Sequence, residues 1–373
     1  MKRLNFQSKV KIFLIVFILL LTLIVNLKSV KAVEIGGELE IGSGLSYSDD
    51  LKAEFYGQGE FELFLPQSSI VEPRLVFQTS LADDRVNSDI KYMYIRHRKD
   101  GNHLTVGRQP VSWSYGAMIN LLDYGLGIDG LADETIRPGI DGLRYHYSLG
   151  EGRNIQLVTS FSEFSRVELD ELGYGGRLRL PGSGYDLSFN LAYQPLGKDN
   201  LLRTGMTYNK DIGDIGTYGS LGYFYKQDRE IDDIMLQLGM DYSWIVGGDN
   251  GYGGRQLILQ AEYFRFLKNN LNASIMSKLM IGGGEAEGAG SGLETVLLSN
   301  RDLLTLNLST SLDYFSDLGL LLMIETKDCK TVLAPYYSSD LGGGLEMSID
   351  AMVLRDSGGD FYSGISSSLS YYF

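Results

Sequence analysis

The sequence predicts an all-β chain that closes into a single membrane-spanning antiparallel barrel after a cleaved export signal. Three observations point there. A two-residue hydrophobic rhythm recurs from residue 33 to the C-terminus, one apolar run near the N-terminus is shorter than a membrane-spanning helix, and no second run of that kind follows. Without apolar helices, a chain can satisfy its backbone N–H and C=O groups in lipid only by closing a sheet.

The N-terminus comes first. Lys2, Arg3, Lys9 and Lys11 precede an apolar run from Ile12 to Val25, followed by Val30, Lys31 and Ala32. A basic start, an apolar core and small residues at alternate positions make a secretory signal, with cleavage expected after Ala32. Residues 33–373 then form one domain. An uncleaved signal anchor is the alternative, since with Leu27 the run approaches the ~20 residues of a spanning helix. No cysteine stands near Ala32 to carry a lipid.

Cleavage removes six basic residues (Lys2, Arg3, Lys9, Lys11, Lys28 and Lys31) and no acid, moving the formal net charge from −14 to −20. That balance repels phosphates, argues against a nucleic-acid partner and suits cations or neutral sugars as solutes. The single cysteine, Cys329, excludes an internal disulfide framework, so packing and hydrogen bonds must hold the fold. The chain has 46 Gly and 24 Tyr against 7 Pro, which favours turns and strands with interfacial aromatics.

The strands follow in order. Ile35, Leu39, Ile41, Leu45 and Tyr47 share one parity against Glu34, Glu38, Glu40 and Ser46. After Asp49 and Asp50, Leu51, Ala53, Phe55, Phe61 and Leu63 alternate with Lys52, Glu54, Gln58, Glu60 and Glu62, which makes a hairpin. The rhythm returns in Tyr185–Tyr193, Leu221–Tyr225, Leu236–Trp244 and Leu257–Tyr263, and in Leu304 to Leu308 continuing through Leu312 and Tyr314. The best parse is 18 strands within a window of 16–20, and an even number suits a single-chain barrel. The stretch from Leu293 to Ser299, with Arg301, reads as one strand or two.

Pro181–Gly184, Lys198–Asn200 and the stretch around Asn269 and Asn270 read as short turns, while Gly247–Gly254 and Gly282–Gly292 read as longer loops. Neither glycine cluster carries the Lys-Ser/Thr ending of a phosphate-binding loop. From Trp113 to Arg137 the alternation stops, and this reads as the longest connection in the chain. Its length suggests a functional loop that folds inward and narrows the lumen, with a solvated outer loop as the alternative.

The last strand puts Ile365, Leu369, Tyr371 and Phe373 on one face and Gly364, Ser366, Ser368 and Ser370 on the other. A chain closing on such a strand with a terminal aromatic resembles the bacterial outer-membrane β-barrels. The resemblance implies an outer-membrane location and an assembly signal in Leu369, Tyr371 and Phe373. It also implies lipid, the barrel insertion machinery and a periplasmic chaperone as partners. Around the long connection, Val106, Gly107, Arg108 and Gln109 precede Trp113, Gly116 and Asp123, with Arg137, Pro138, Gly139, Ile140, Asp141, Gly142, Leu143 and Arg144 on the far side. This stretch is similar to the Gly-Arg-Gln strand end of porin-like barrels related to the alginate-export channels, although here Ser114 and Tyr115 separate Trp113 from Gly116.

The resemblance implies a channel. Its pore-lining candidates are Arg108, Asp123, Arg137, Asp141, Arg144, Arg177 and Arg179, where guanidinium groups opposite carboxylates would sort solutes by charge. Arg144 and His146 fall opposite the apolar Leu143, Tyr145, Tyr147 and Leu149, and Arg177 and Arg179 opposite Leu178 and Leu180. Arg108 shares the parity of Leu104 and Val106, so it reaches the lumen only if the strand end is re-aimed. The expected function is passive diffusion of small hydrophilic solutes, ions or saccharides. A pore-less barrel acting as adhesin or anchor is the alternative, with a barrel hydrolase behind it. His97 and His103 flank the turn at Asp100 and Gly101, and His146 stands alone among tyrosines, so no nucleophile, base and orienter come together and no cofactor or metal site is expected. Asp83 and Asp84 read as another turn. The oligomeric state is open between trimer and monomer.

Overall fold

The computed structural model describes residues 34–47, 50–82, 85–116, 120, 122–124, 139–161, 172–196, 199–227, 230–247, 254–268, 302–327, 329–355 and 358–373. The signal sequence, Asp83, Asp84, Arg137, Lys198, residues 248–253, Asn269, Asn270 and the stretches 282–292 and 293–301 lie outside those residues.

Eighteen strands form one sheet. They are β1 (Glu34–Tyr47), β2 (Leu51–Phe64), β3 (Val71–Ala82), β4 (Arg85–Lys99), β5 (Asn102–Gln109), β6 (Ile140–Gly150), β7 (Arg153–Ser160), β8 (Gly173–Gly182) and β9 (Tyr185–Leu196). The ring continues through β10 (Asp199–Ile212), β11 (Ile215–Lys226), β12 (Ile231–Val246), β13 (Arg255–Phe266), β14 (Asp302–Ser311), β15 (Ser316–Glu325), β16 (Thr331–Gly342), β17 (Leu345–Arg355) and β18 (Phe361–Tyr372). Each strand pairs antiparallel with its chain neighbours, and β18 closes on β1 in a register from Glu38↔Tyr372 to Tyr47↔Ser363. Closure removes every sheet edge, as lipid requires. With an even count both termini meet at one end, where Gly37 and Phe373 exchange backbone hydrogen bonds at 3.1 Å in each direction.

The two ends differ. At the end holding the termini, most hairpins close in two residues; at Asp100–Gly101 and Glu151–Gly152 both turn residues take positive φ, which matches the right-handed twist of the flanking strands. The opposite end carries the long connections, after β5, β7 and β13. The one between Phe266 and Asp302 exceeds the one between Gln109 and Ile140, which corrects the expectation that the latter is longest.

Three turn assignments also change, the first being Lys198–Asn200, of which Asp199 and Asn200 belong to β10 and pair with Leu196 and Pro195. Pro181 and Gly182 belong to β8, pairing with Asp186 and Tyr185, because the two-residue turn Ser183–Gly184 suffices. β14 ends at Ser311, and Leu312 and Tyr314 lie in a turn where the Leu312 N–H reaches Ser316 O at 2.8 Å and the Phe315 N–H reaches Asp313 Oδ1 at 2.8 Å. The apolar rhythm runs straight through this turn, so parity alone cannot mark it.

Burial follows parity, with apolar side chains outside. Ile41 is 67% and Phe55 77% exposed, while inward Ser368 and Ser370 are buried. An outer surface so continuously apolar suits lipid, and Tyr242 stacked on Trp244 (5.4 Å) and Tyr371 on Phe373 (6.0 Å) supply aromatics near the turn end. The inner face is not polar throughout. On β11–β16, Phe224, Met235, Phe264, Phe266, Leu303, Met323 and Val332 face inward and are buried, with Phe224 and Phe266 edge to face at 5.6 Å.

Candidate functional site

The chain turns into the barrel after β5. Gln109, fully buried, donates to the carbonyls of Thr105 (3.3 Å), Gly107 (3.4 Å) and Gly142 (3.4 Å), fixing the strand end. Val111 and Trp113 then continue the inward parity and pack with Tyr124, Val158 and Ala192 on the inner wall. The Trp113 indole donates to Gln156 Oε1 at 3.0 Å, its ring centre lies 5.4 Å from that of Tyr124, and the Tyr124 hydroxyl meets Ser160 Oγ at 2.7 Å. The wall makes room with glycine. A side chain at Gly175 would collide with both Tyr124 and Trp113, and one at Gly205 would meet Leu122. The described part of the long connection therefore lies along the inner face of β7–β11, as an inward-folding loop would.

Charged residues hold it there. The Asp123 carboxylate accepts the backbone N–H groups of Trp113 (2.5 Å) and Ser114 and the Ser112 hydroxyl (2.9 Å), closing the loop on itself. Burial pushes this carboxyl above the usual range, and the donors pull it back. Beneath it, Arg203 of β10 is 1% exposed and donates to the carbonyls of Asp123 (2.7 Å) and Tyr124 (3.4 Å) and to Gln194. Arg177 of β8 donates to Tyr115 Oη at 3.0 Å and Ser188 Oγ at 3.2 Å, and Arg144 of β6 donates to Pro110 O at 2.9 Å. Burial raises the pKa of the Tyr115 phenol. Three arginines on alternate strands thus grip one loop.

The other candidates are placed differently. Arg179 pairs with Asp186 across β8 and β9, its Nε donating at 2.7 Å. Arg108 and Asp141 form a two-pronged pair at 2.9 and 2.8 Å, and Arg108 also reaches Asp89 at 3.0 Å and Ile90 O at 2.8 Å. Both share the outward parity of exposed Leu104, Val106 and Leu143, so this pair stands apart from the loop-gripping arginines. Leu369, Tyr371 and Phe373 are exposed on the outward face of the terminal strand or just beyond it.

Sequence reasoning missed two groups. One is a row of ion pairs on β2–β4: Lys91–Glu60 (2.6 Å), Arg74–Glu62 (2.8 Å), and Arg96 and Arg98 on Glu72, with Arg74 and Arg96 stacked over Tyr92 and Tyr94. A register shift opposite Val76 and Phe77 leaves Lys91 without a strand partner and turns it inward, breaking the simple alternation. The other is the contact of His146 with His103, whose rings stack at 5.1 Å; His146 is not alone. Near the seam, the inner wall is instead acidic and hydroxylic, with the Tyr56 hydroxyl on Glu40 at 3.3 Å, Ser348 on Ser368 at 2.8 Å and Ser348 on Asp350 at 3.3 Å.

A closed 18-stranded ring, apolar outside, with a loop laid on its inner wall, can be compared with solved structures. It has the fold of the bacterial outer-membrane porins. The chain is similar to Pseudomonas aeruginosa OccK11 (OpdR), with a TM-score of 0.60 at 9% identity, covering 91% of this chain and 96% of that one. Similarity extends to P. aeruginosa OccK2 (OpdF) in complex with glucuronate (0.55, 11%, 91% and 96%) and to Acinetobacter baumannii OccAB4 (0.55, 8%, 92% and 99%). No protein-family model matches the chain, and no curated protein sequence does. At such identities the likeness is one of fold.

Proposed function

We propose that this chain is a passive diffusion channel of the bacterial outer membrane for small hydrophilic solutes, ions or saccharides. The observation that carries this reading is the closed ring of eighteen strands with charged side chains on its inner face. A ring of that size is too wide for side chains alone to fill. A barrel hydrolase is disfavoured because His103 and His146 stack on each other rather than on a nucleophile and an orienting acid.

The local charge favours anions over the cations suggested by the net balance. Beside the loop Arg144, Arg177 and Arg203 outnumber the Asp123 carboxylate seated among them, so that wall keeps positive charge, while Glu40 and Asp350 sit near the seam. Glucuronate in the OccK2 complex makes sugar acids a sensible class to try. In proteoliposomes, a sugar acid is expected to enter faster than a neutral sugar of similar size, and both faster than an oligosaccharide. Vesicles that stay sealed to all three would overturn the channel; equal rates for acid and neutral sugar would overturn the preference.

The finer assignments rest on sequence alone. Export by residues 1–32 rests on the basic and apolar N-terminus, and recognition of Leu369, Tyr371 and Phe373 by the insertion machinery, with a periplasmic chaperone, rests on the terminal aromatic strand. Kinship to the alginate-export-like group rests on the Gly107-Arg108-Gln109 strand end. Either a monomer or a trimer is compatible with this reading.

A further inference from the structure

His103 and His146 are register partners on β5 and β6, half-buried on the inner face with Thr105 and Arg144. Their ring centres lie 5.1 Å apart with planes at 28°, and Gln156 of β7 stands 3.4 Å from His146 Nδ1. The charged groups facing the pair are Arg96 and Arg98 of β4, Arg144 of β6, and Arg177 and Arg179 of β8. Glu72 offsets Arg96 and Arg98, Asp186 offsets Arg179, and Asp123 and Asp186 act on Arg177, whose hydrogen bonds, like that of Arg144, go to neutral oxygens. So much surrounding positive charge disfavours a metal cation between the rings. The same charge resists a proton on either ring, so the change that imidazole ordinarily makes between about pH 5 and 8 falls toward the acidic end of that range.

We infer that the His103–His146 stack makes the ion selectivity of the channel depend on pH. Protonating the pair adds positive charge beside Arg144 and Arg177, so the lumen admits anions more readily and cations less. Rings in contact do not take protons independently, and the change spreads over two steps rather than one. The inference rests on the channel reading.

The test is the reversal potential of the full mature chain in planar bilayers under a KCl gradient, at about pH 8 and about pH 5. The chloride-to-potassium permeability ratio is expected to rise about twofold or more on acidification. It is expected to stay flat in His103→Gln/His146→Gln and to show a smaller, single step in each single variant. A wild-type ratio independent of pH, or a shift undiminished in the variants, would overturn the inference. If the double variant does not insert, the single variants decide. A chain silent at both pH values overturns the channel reading itself.

Discussion

Replacing Arg203 by alanine is expected to turn a steady channel into a flickering one. The guanidinium is buried under the inward loop and supplies donors to the carbonyls of Asp123 and Tyr124 and to Gln194. Removing it leaves the Asp123 carbonyl without its described donor, at about 1–3 kcal/mol, while the Tyr124 carbonyl keeps the Gln194 amide at 2.9 Å. The loop then keeps the apolar seat of Trp113, Tyr124 and Leu122 and the anchors at Arg144 and Arg177, but its Asp123–Tyr124 segment loses the guanidinium beneath it. The loop should leave and regain its seat within a recording, so single-channel traces should gain open-state noise and brief closures. Traces indistinguishable from wild type would show that Arg203 does not secure the loop.

The second large effect separates two adjacent residues of β17. Ile349 is 39% exposed and faces outward, while Ser348 faces inward between Ser368 and Asp350. Ile349→Arg should cost about 2–4 kcal/mol if the residue lies near the middle of the bilayer, because the charge enters hydrocarbon. Ser348→Arg meets water and the Asp350 carboxylate and should cost little. Urea unfolding of the folded chain in vesicles measures both. Equal costs would mean that β17 has no lipid face.

How much of this could be read in advance depended on whether one residue saw one solvent. Tyr185–Tyr193 was legible because Tyr185, Phe189 and Leu191 face outward while Ser188 and Asn190 face inward. The eighteen-strand ring followed from many such segments. Leu312 and Tyr314 were misleading because a rhythm of two does not register that Asp313 folds the backbone into a turn. Toward the long-connection end of β13 and β14 the contrast faded, since Tyr263 and Phe264, and Leu303 and Leu304, stand on opposite parities and are all apolar.

The site was less legible than the barrel. The length of the loop allowed an inward or a solvated outer course, and Asp123, Arg144 and Arg177 meet where its described part runs inward. Their partners could not be found by spacing. Arg203 lies eighty residues from Asp123 in sequence, and its importance arises only from the shared wall. His103 and His146 meet because the β5–β6 register sets them opposite each other, across the whole long connection. The Arg108–Asp141 pair shows the same limit: the strand end keeps its outward parity, so a motif suggestive of a pore lies on the outer face.

The most direct test of a cylinder with a wet interior is the single-channel current of the purified mature chain in a planar bilayer. The structure predicts stepwise openings with a linear current–voltage relation at low voltage. A correctly folded, heat-modifiable barrel that inserts and yet passes no ions would contradict it.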